Sequence, residues 1–133
     1  MRTLALVFML CALFGCSDGS PRLAPVTGMV RLDGHPLKQG VIIFEADNSP
    51  PAKGKIVNGQ IVEVTTHQPN DGLTLGPKMV AVRPGDASGG KQVIPNRYLE
   101  TSASDLTWEI VDGPNNLVFS LVSEPRTPFT AQR

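Results

Sequence analysis

Cysteine, aromatic side chains and excess charge of either sign are all scarce in this chain of 133 residues. It has two cysteines, one tryptophan and one tyrosine. Because Cys11 and Cys16 are the only cysteines, no disulfide framework is available. The 12 basic and 12 acidic residues form no block of like charge, so nothing marks a nucleic-acid partner. We therefore expect one domain that depends on its apolar core.

Helical periodicity is also missing after residue 26, where short β-rich runs alternate with Asp-Gly, Asn-Gly and Pro-rich breaks. Seven such runs predict an all-β, two-sheet β-sandwich. The predicted strands are residues 26–32, 41–46, 54–57, 60–65, 78–83, 106–111 and 117–122. The run 41–44 is apolar on both faces, which predicts a central strand, and Asn58-Gly59 predicts a type I′ hairpin.

Strict alternation in the last two strands predicts the core. Its six members are Leu106, Trp108, Ile110, Leu117, Phe119 and Leu121. A sugar-stacking platform is the alternative role for Trp108, since aromatic faces serve that purpose, but its alternation with apolar neighbours favours the core.

The N-terminus carries a targeting pattern. Arg2 precedes an apolar run over residues 4–14, which is too short to cross a bilayer and is followed by Gly15-Cys16. This segment resembles the signal helix and lipobox of bacterial lipoprotein precursors. The resemblance implies cleavage between Gly15 and Cys16 and lipidation of Cys16, with the acyl chains holding the protein on a membrane of the cell envelope, facing the periplasm. The residue directly after Cys16 is Ser17, and an Asp at this position would resemble the inner-membrane retention signal of enterobacterial lipoproteins. By analogy, the absence of that Asp predicts that the protein is sorted to the outer membrane.

The chain thus divides into a signal peptide (1–15), a lipidated Cys with its tether (16–25), a β-sandwich (26–123) and a C-terminal tail (124–133). Residues 25–44 contain a Gly-x-Val strand, an Asp-Gly-x-Pro-Leu turn and an apolar strand. They resemble the opening of carboxypeptidase-regulatory-like domains, which implies a transthyretin-like (prealbumin-like) sandwich. Residues 76–82, 94–98, 106–111 and 115–121 are similar to planctomycete-type small lipoproteins.

Enzymes of the transthyretin-like class have requirements that this chain does not meet. Hydroxyisourate hydrolases end in Tyr-Arg-Gly-Ser, whereas this chain ends in Thr-Ala-Gln-Arg. Intradiol dioxygenases bind iron through two tyrosines and two histidines, whereas Tyr98 is the only tyrosine of this chain. His35 and His67 fall in a predicted turn and loop, and Asp33 lacks companion carboxylates at calcium-ligand spacing. Asp33-Gly34 is instead predicted to form a turn in which the Asp33 carboxylate accepts backbone amides just downstream. The sequence therefore predicts no catalytic residue, metal site or cofactor, and no enzyme activity.

Two long connections, 66–77 and 84–105, are where a working surface is expected. Tyr98 and Arg97 in the second are possible ligand contacts. Closing that loop onto the sandwich edge is the preferred role for Ile94 and Tyr98, and ligand contact comes second. The leading hypothesis is a non-catalytic accessory or interaction module with an envelope protein or glycan as partner. A carbohydrate- or peptide-binding module using both loops is the alternative, and a hydrolase with a site not evident in the sequence is third.

Overall fold

The structure is a computed structural model and describes Gly19, residues 21–85 and residues 94–123. The predicted signal peptide, Cys16, residues 86–93 and the tail 124–133 lie outside the described residues. The described part is all-β, with a single 3-10 turn at Asn96–Tyr98. Its strands are β1 Leu23–Ala24, β2 Val26–Leu32, β3 His35–Pro36, β4 Gln39–Ala46, β5 Ser49–Val57, β6 Gln60–Thr65, β7 Leu73–Thr74, β8 Gly76–Pro84, β9 Leu106–Ile110 and β10 Asn115–Leu121.

One large sheet dominates the fold, in the order β10-β2-β6-β5-β4-β8-β9, with β3 beside β2. Its neighbouring strands are antiparallel except for the parallel pair β10–β2. The two ends of this order meet, because the ring of Trp108 in β9 packs edge-to-face on Phe119 in β10 with centroids 5.7 Å apart. The sheet is therefore curled, and its inner face encloses one core.

This arrangement differs from the two separate sheets that the sequence predicted. The ladder runs unbroken from β10 to β9, and the second sheet is only the pair β1–β7. Register shifts between Phe44 and Ala46 and between Lys53 and Lys55 interrupt the pairing on both sides of β5. Such irregularities bend a strand and increase its twist, which allows a continuous sheet to turn back on itself.

All seven predicted strands are present, most of them with ends shifted by a few residues. The two-residue strands β1, β3 and β7 were not predicted, because two residues carry no alternation. β1 lies within the predicted tether, yet Ala24 is buried and pairs with Leu73. Antiparallel pairing with β7 explains why this end of the predicted tether packs against the domain.

The predicted core residues all face inward, but not equally deeply. Ile110, Leu117, Phe119 and Leu121 are buried, which confirms four of the six. Leu106 and Trp108 are half-buried at the margin of the core. Their strand β9 is paired on one side only, with β8, so its side chains receive less cover than those of a central strand.

Strand β4 is central, as its sequence predicted, and lies between β5 and β8. Ile42 and Phe44 point into the core with exposures of 0% and 1%. On the opposite face Ile43 pairs with Ala81 of β8, and both are also buried. The outer face of β4 and β8 is therefore covered at this pair.

The segment after the 3-10 turn lies across that outer face. Thr101 donates a hydrogen bond to Glu45 at 2.5 Å, and the Arg83 side chain donates to the carbonyl of Leu99 at 3.0 Å. Glu45 lies two residues beyond Ile43 and Arg83 two residues beyond Ala81, on either side of that pair. The two anchors therefore hold this part of the predicted loop 84–105 over apolar side chains.

Two turns have the positive φ angles that their sequences favour. Asn58 and Gly59 have φ of 49° and 81°, which confirms the predicted tight hairpin between β5 and β6. A Cβ at Gly59 would lie 2.7 Å from Cβ of Pro36, so the close approach of β3 also requires glycine there.

The turn at Asp33 follows β2 and also has a positive φ, of 50°. Its carboxylate was expected to accept amides just downstream, and that prediction is wrong. The Oδ1 atom instead accepts the N–H of Ser123 at 2.9 Å, while the Asp33 N–H donates to the carbonyl of Leu121. These bonds join the turn to the end of β10. Hydrogen bonds from the side chain of Ser123, and then from its backbone N–H, lower the pKa of Asp33.

Candidate functional site

Tyr98 and Arg97, the possible ligand contacts, lie at the 3-10 turn and are turned towards their own domain. Tyr98 is 6% exposed, and its hydroxyl accepts hydrogen bonds from the Val122 N–H and from the Arg97 guanidinium, each at 3.1 Å. Arg97 also donates to the Val122 carbonyl and lies over the Tyr98 ring, 4.6 Å from its centroid. Both side chains fasten the second long connection to the end of β10.

The first long connection, 66–77, is organised by Asp71. Its carboxylate accepts the N–H groups of Thr66, His67 and Gln68 at 2.7, 2.9 and 2.8 Å. Thr66 Oγ1 in turn donates to the carbonyl of Gly72 at 2.6 Å. Desolvation raises the pKa of Asp71, but the three backbone donors outweigh it and leave the pKa lowered. The loop is therefore a folded unit that satisfies its own polar groups.

Replacing Asp71 with Asn is expected to lower the free energy of unfolding by about 1 to 2 kcal/mol at pH 7. One amide oxygen cannot accept three N–H donors, and the amide nitrogen opposes them. Because folding lowers the pKa of Asp71, its contribution is present above the ordinary pKa of 3.8 and is lost as the pH falls below it. Urea unfolding at pH 7 and pH 3 checks this, and the difference between the two proteins should shrink at pH 3.

The matched control is Asp47→Asn in the exposed turn between β4 and β5. It should leave the free energy of unfolding unchanged within about 0.5 kcal/mol. A deficit of Asp71→Asn that is equal at both pH values would contradict the charged-acceptor role of Asp71.

The two histidines do not come together in a site. His35 lies in β3 and His67 in the first long connection, and both are exposed. Within residues 21–85 and 94–123 no three His, Cys, Asp or Glu side chains are grouped as metal ligands. The same part of the chain contains no helix that could span a membrane.

A buried lysine that the sequence analysis missed lies near one end of the core. Lys78 is 4% exposed, and its Nζ donates to Thr74 Oγ1 at 2.8 Å and to the carbonyl of Leu75 at 3.4 Å. Thr74, itself 5% exposed, donates to Ser49 Oγ at 3.2 Å. Alternation along β8 could have found Lys78, since it shares the inward face with the buried Val80 and Val82.

A cavity of about 320 Å³ adjoins Lys78. Its polar lining residues are Glu45, Asp47, Asn48, Ser49, Lys78 and Thr107. Its apolar wall comes from Leu75, Pro77 and Met79. Polar, acidic and apolar residues therefore line this cavity together.

Burial lowers the pKa of Lys78, and nearby Glu109 acts in the opposite direction. Because the folded pKa lies below the ordinary 10.5, the unfolded chain binds more protons between these two values. The contribution of Lys78 to stability is therefore least favourable below its folded pKa and improves as the pH rises towards 10.5.

We expect Lys78→Met to raise the free energy of unfolding at pH 7 by about 1 kcal/mol, because an apolar chain of similar length removes a buried charge. The advantage over the native chain should shrink at pH 10. Urea unfolding of both proteins at the two pH values measures it, with the exposed Lys53→Met as control. A variant less stable than the native chain at pH 7 would contradict the expectation.

A second concave surface lies outside the core, where β6 diverges from β2. These two strands pair only through Gly28–Ile61 and Met29–Gln60. The resulting groove has a volume of about 490 Å³. Its outward apolar side chains are the half-buried Met29 and Val62 and the 49% exposed Val118. The three belong to adjacent strands β10, β2 and β6, and we call them the apolar strip. The groove is also lined by the polar residues Thr27, Arg31, Gln60 and Asn116.

A glycine forms part of this groove. A Cβ at Gly28 would lie 2.3 Å from the Leu117 carbonyl oxygen, so a side chain there would push β2 and β10 apart. The close parallel pairing of these strands keeps Met29 next to Val118.

No known protein family, curated protein or solved structure matches the chain. The resemblance to carboxypeptidase-regulatory-like domains and to planctomycete-type lipoproteins therefore stays a prediction from the sequence.

Proposed function

We propose that this chain is a lipid-anchored protein of the cell envelope whose domain is a non-catalytic interaction module for another envelope protein. The N-terminal pattern that ends at Cys16 supports the anchor, with the domain facing the periplasm and the outer membrane as its site. A transthyretin-like, carboxypeptidase-regulatory-like sandwich is part of this proposal and is consistent with the curled, all-β, sandwich-like sheet.

The observation that carries the interaction role is the apolar strip of Met29, Val62 and Val118 on the outer face of β10, β2 and β6. Outward apolar side chains that line a groove favour contact with another protein. In the two long connections, by contrast, Asp71 and Tyr98 bind their own domain.

Aromatic rings argue against a glycan as the partner. Sugars bind on exposed aromatic faces, but Tyr98 is buried beneath Arg97, and Trp108 is half-buried against Phe119. None of the groove-lining residues is aromatic. The binding-module alternative therefore has less support than the protein-interaction role.

A cross-linking experiment tests this proposal. The full chain carries a photo-reactive amino acid at position 118, is expressed in its native membranes, is irradiated, and its adducts are identified by mass spectrometry. We expect one dominant protein adduct, reduced at least tenfold by Met29→Glu in the same chain. Met79→Glu on the far half of the sheet is the control and should leave the adduct unchanged. Absence of any protein adduct, or a glycan adduct in its place, would contradict the proposal.

A further inference from the structure

The curled sheet is closed by side chains and not by main-chain pairing. Within the described residues, the strand order of the large sheet ends in β9 on one side and in β10 on the other. These two strands form no ladder with each other and meet through the rings of Trp108 and Phe119, whose planes are at 72°. A strand that is paired on one side only presents a row of unpaired N–H and C=O groups along its second edge.

The direction of the main-chain groups in β10 follows from the bonds at its two ends. The Asn115 N–H donates to the carbonyl of Pro25, just before β2, at 3.0 Å. The Leu121 carbonyl accepts the N–H of Asp33, just after β2, at 2.9 Å. Main-chain groups alternate in direction along a strand, so every second residue from 115 to 121 bonds towards β2 and the others point to the free edge. The residues that point to the free edge are Asn116, Val118 and Ser120.

Side chains already close both ends of this edge. At one end the Asn115 amide accepts the Val111 N–H at 3.0 Å and donates to the Val111 carbonyl at 2.9 Å. At the other end the Val122 N–H donates to the Tyr98 hydroxyl at 3.1 Å, and Arg97 donates to the Val122 carbonyl. The open interval of the edge therefore lies between these two anchors.

The margin of the core beside β9 is incompletely covered. Leu106 and Trp108 of β9 are half-buried, whereas Leu117 and Phe119 of β10 are 0% and 4% exposed. An extended segment that adds to the edge of β10 directs every second side chain towards this margin. Apolar residues at those positions would cover the exposed parts of Leu106 and Trp108.

The surroundings of the edge are acidic. Residues 101–121 contain no lysine or arginine, and their three acidic residues, Asp105, Glu109 and Asp112, are exposed. Asp112 forms a salt bridge with Arg22 at 2.9 Å. Complementary charge steers a partner to an interface, and like charge rejects wrong partners. A basic segment therefore fits this edge better than an acidic one.

We propose that the free edge of β10 binds an extended, basic segment of the partner protein as an additional β-strand. Main-chain hydrogen bonds to the open groups supply the affinity, and alternate side chains give the specificity. This inference deepens the proposed interaction role and rests on it, because Val118 belongs both to the edge and to the apolar strip. The apolar strip then contacts outward side chains of the added strand.

The test uses the isotope-labelled full chain in detergent, with the acetylated and amidated peptide Lys-Val-Thr-Val-Thr-Val-Lys as the probe. Amide hydrogen exchange is measured by NMR with and without the peptide. We expect exchange of the Val118 and Ser120 amides to slow at least tenfold when the peptide is bound. The Leu117 amide, which points towards β2, is the internal control and should not change.

Two variants at one position separate main-chain bonding from side-chain contact. Ser120→Pro removes an N–H from the free edge, where proline is tolerated, and should lower the affinity for the peptide at least tenfold. Ser120→Ala keeps this N–H and should bind the peptide as the native chain does. Urea unfolding verifies that both proteins are folded. A peptide N-methylated at every residue makes the same test without altering the protein, and it should also bind at least tenfold more weakly.

Four outcomes would overturn the proposal. Equal binding of the N-methylated peptide, or of the native peptide to folded Ser120→Pro, would exclude main-chain pairing, and so would no binding at millimolar peptide. Replacing both lysines of the peptide with glutamate should lower the affinity at least tenfold, and equal affinity would exclude a basic partner. Slow exchange of the Val118 and Ser120 amides without peptide would show that the chain itself or a second copy fills the edge.

The cross-linking experiment separates this inference from the proposed function. In native membranes Ser120→Pro should lower the adduct at position 118 at least tenfold, whereas Ser120→Ala should leave it unchanged. An adduct that persists in the Ser120→Pro chain would overturn the strand addition and leave the interaction role in place. Absence of any adduct in the chain without these substitutions would contradict the interaction role, and the peptide experiment would then decide on the edge by itself.

Discussion

Cys16→Ser is expected to move the protein from the membrane fraction to the soluble fraction, or to leave it as an unprocessed precursor. Each methylene buried in a bilayer contributes about 0.8 kcal/mol, so two or three acyl chains on one cysteine hold a protein essentially permanently. A serine offers no thiol for the thioether link to lipid.

The measurement combines metabolic labelling with radioactive palmitate and fractionation of the cells. The native chain should take up the label and sediment with outer-membrane markers, whereas Cys16→Ser should take up none. Cys11→Ser is the matched control, since it leaves Cys16 as the only cysteine and should preserve labelling. Label that still enters the Cys16→Ser protein would refute lipidation at this position, and sedimentation of the native chain with inner-membrane markers would refute the outer-membrane assignment alone.

The strands could be predicted because their evidence is local. Alternation placed Leu117, Phe119 and Leu121 on the inner face, and the pair Asn58-Gly59 predicted a hairpin whose φ angles are both positive. The curled sheet could not be predicted in the same way. It depends on register shifts beside β5 and on which strands become neighbours, and neither is marked in the sequence of one strand.

The partners of polar side chains were harder to predict because they are distant in the chain. Asp33 binds Ser123, and Tyr98 binds Val122. No short motif specifies such contacts, so sequence reasoning assigned Asp33 a local bond and left Tyr98 between a ligand contact and a docking role. Its burial and its hydrogen bonds with Val122 and Arg97 are those of a docking residue.

Lys78 was missed for a different reason. Alternation in β8 places it on the inner face with Val80, but lysine is so seldom fully buried that its charge outweighed the pattern. The structure resolves the conflict with a threonine hydroxyl and a backbone carbonyl, which accept hydrogen bonds from the amine. A charged residue in phase with apolar neighbours is therefore a useful signal for a buried polar site.

The largest loss of stability is expected from Phe44→Ala rather than from Trp108→Ala. Phe44 is 1% exposed in the central strand β4 and is among the largest fully buried side chains. Its truncation leaves a cavity that neighbouring strands cannot fill and should cost about 3 to 5 kcal/mol. That is a large part of the 5 to 15 kcal/mol typical of a domain, so the variant should unfold near physiological temperature.

Trp108 has the larger ring, and alternation alone predicts a cost of the same size. Because the structure places it half-buried in the edge strand, with an edge-to-face contact to Phe119, we expect Trp108→Ala to cost about 2 kcal/mol. Urea unfolding at constant m-value measures the loss of stability in the Phe44→Ala and Trp108→Ala proteins. The control is Val118→Ala at an exposed position, which should change the free energy of unfolding by less than about 0.5 kcal/mol. A loss for Trp108→Ala that equals the loss for Phe44→Ala would place Trp108 in the core proper. An unchanged free energy of unfolding in Trp108→Ala would instead favour the sugar-stacking role for this ring.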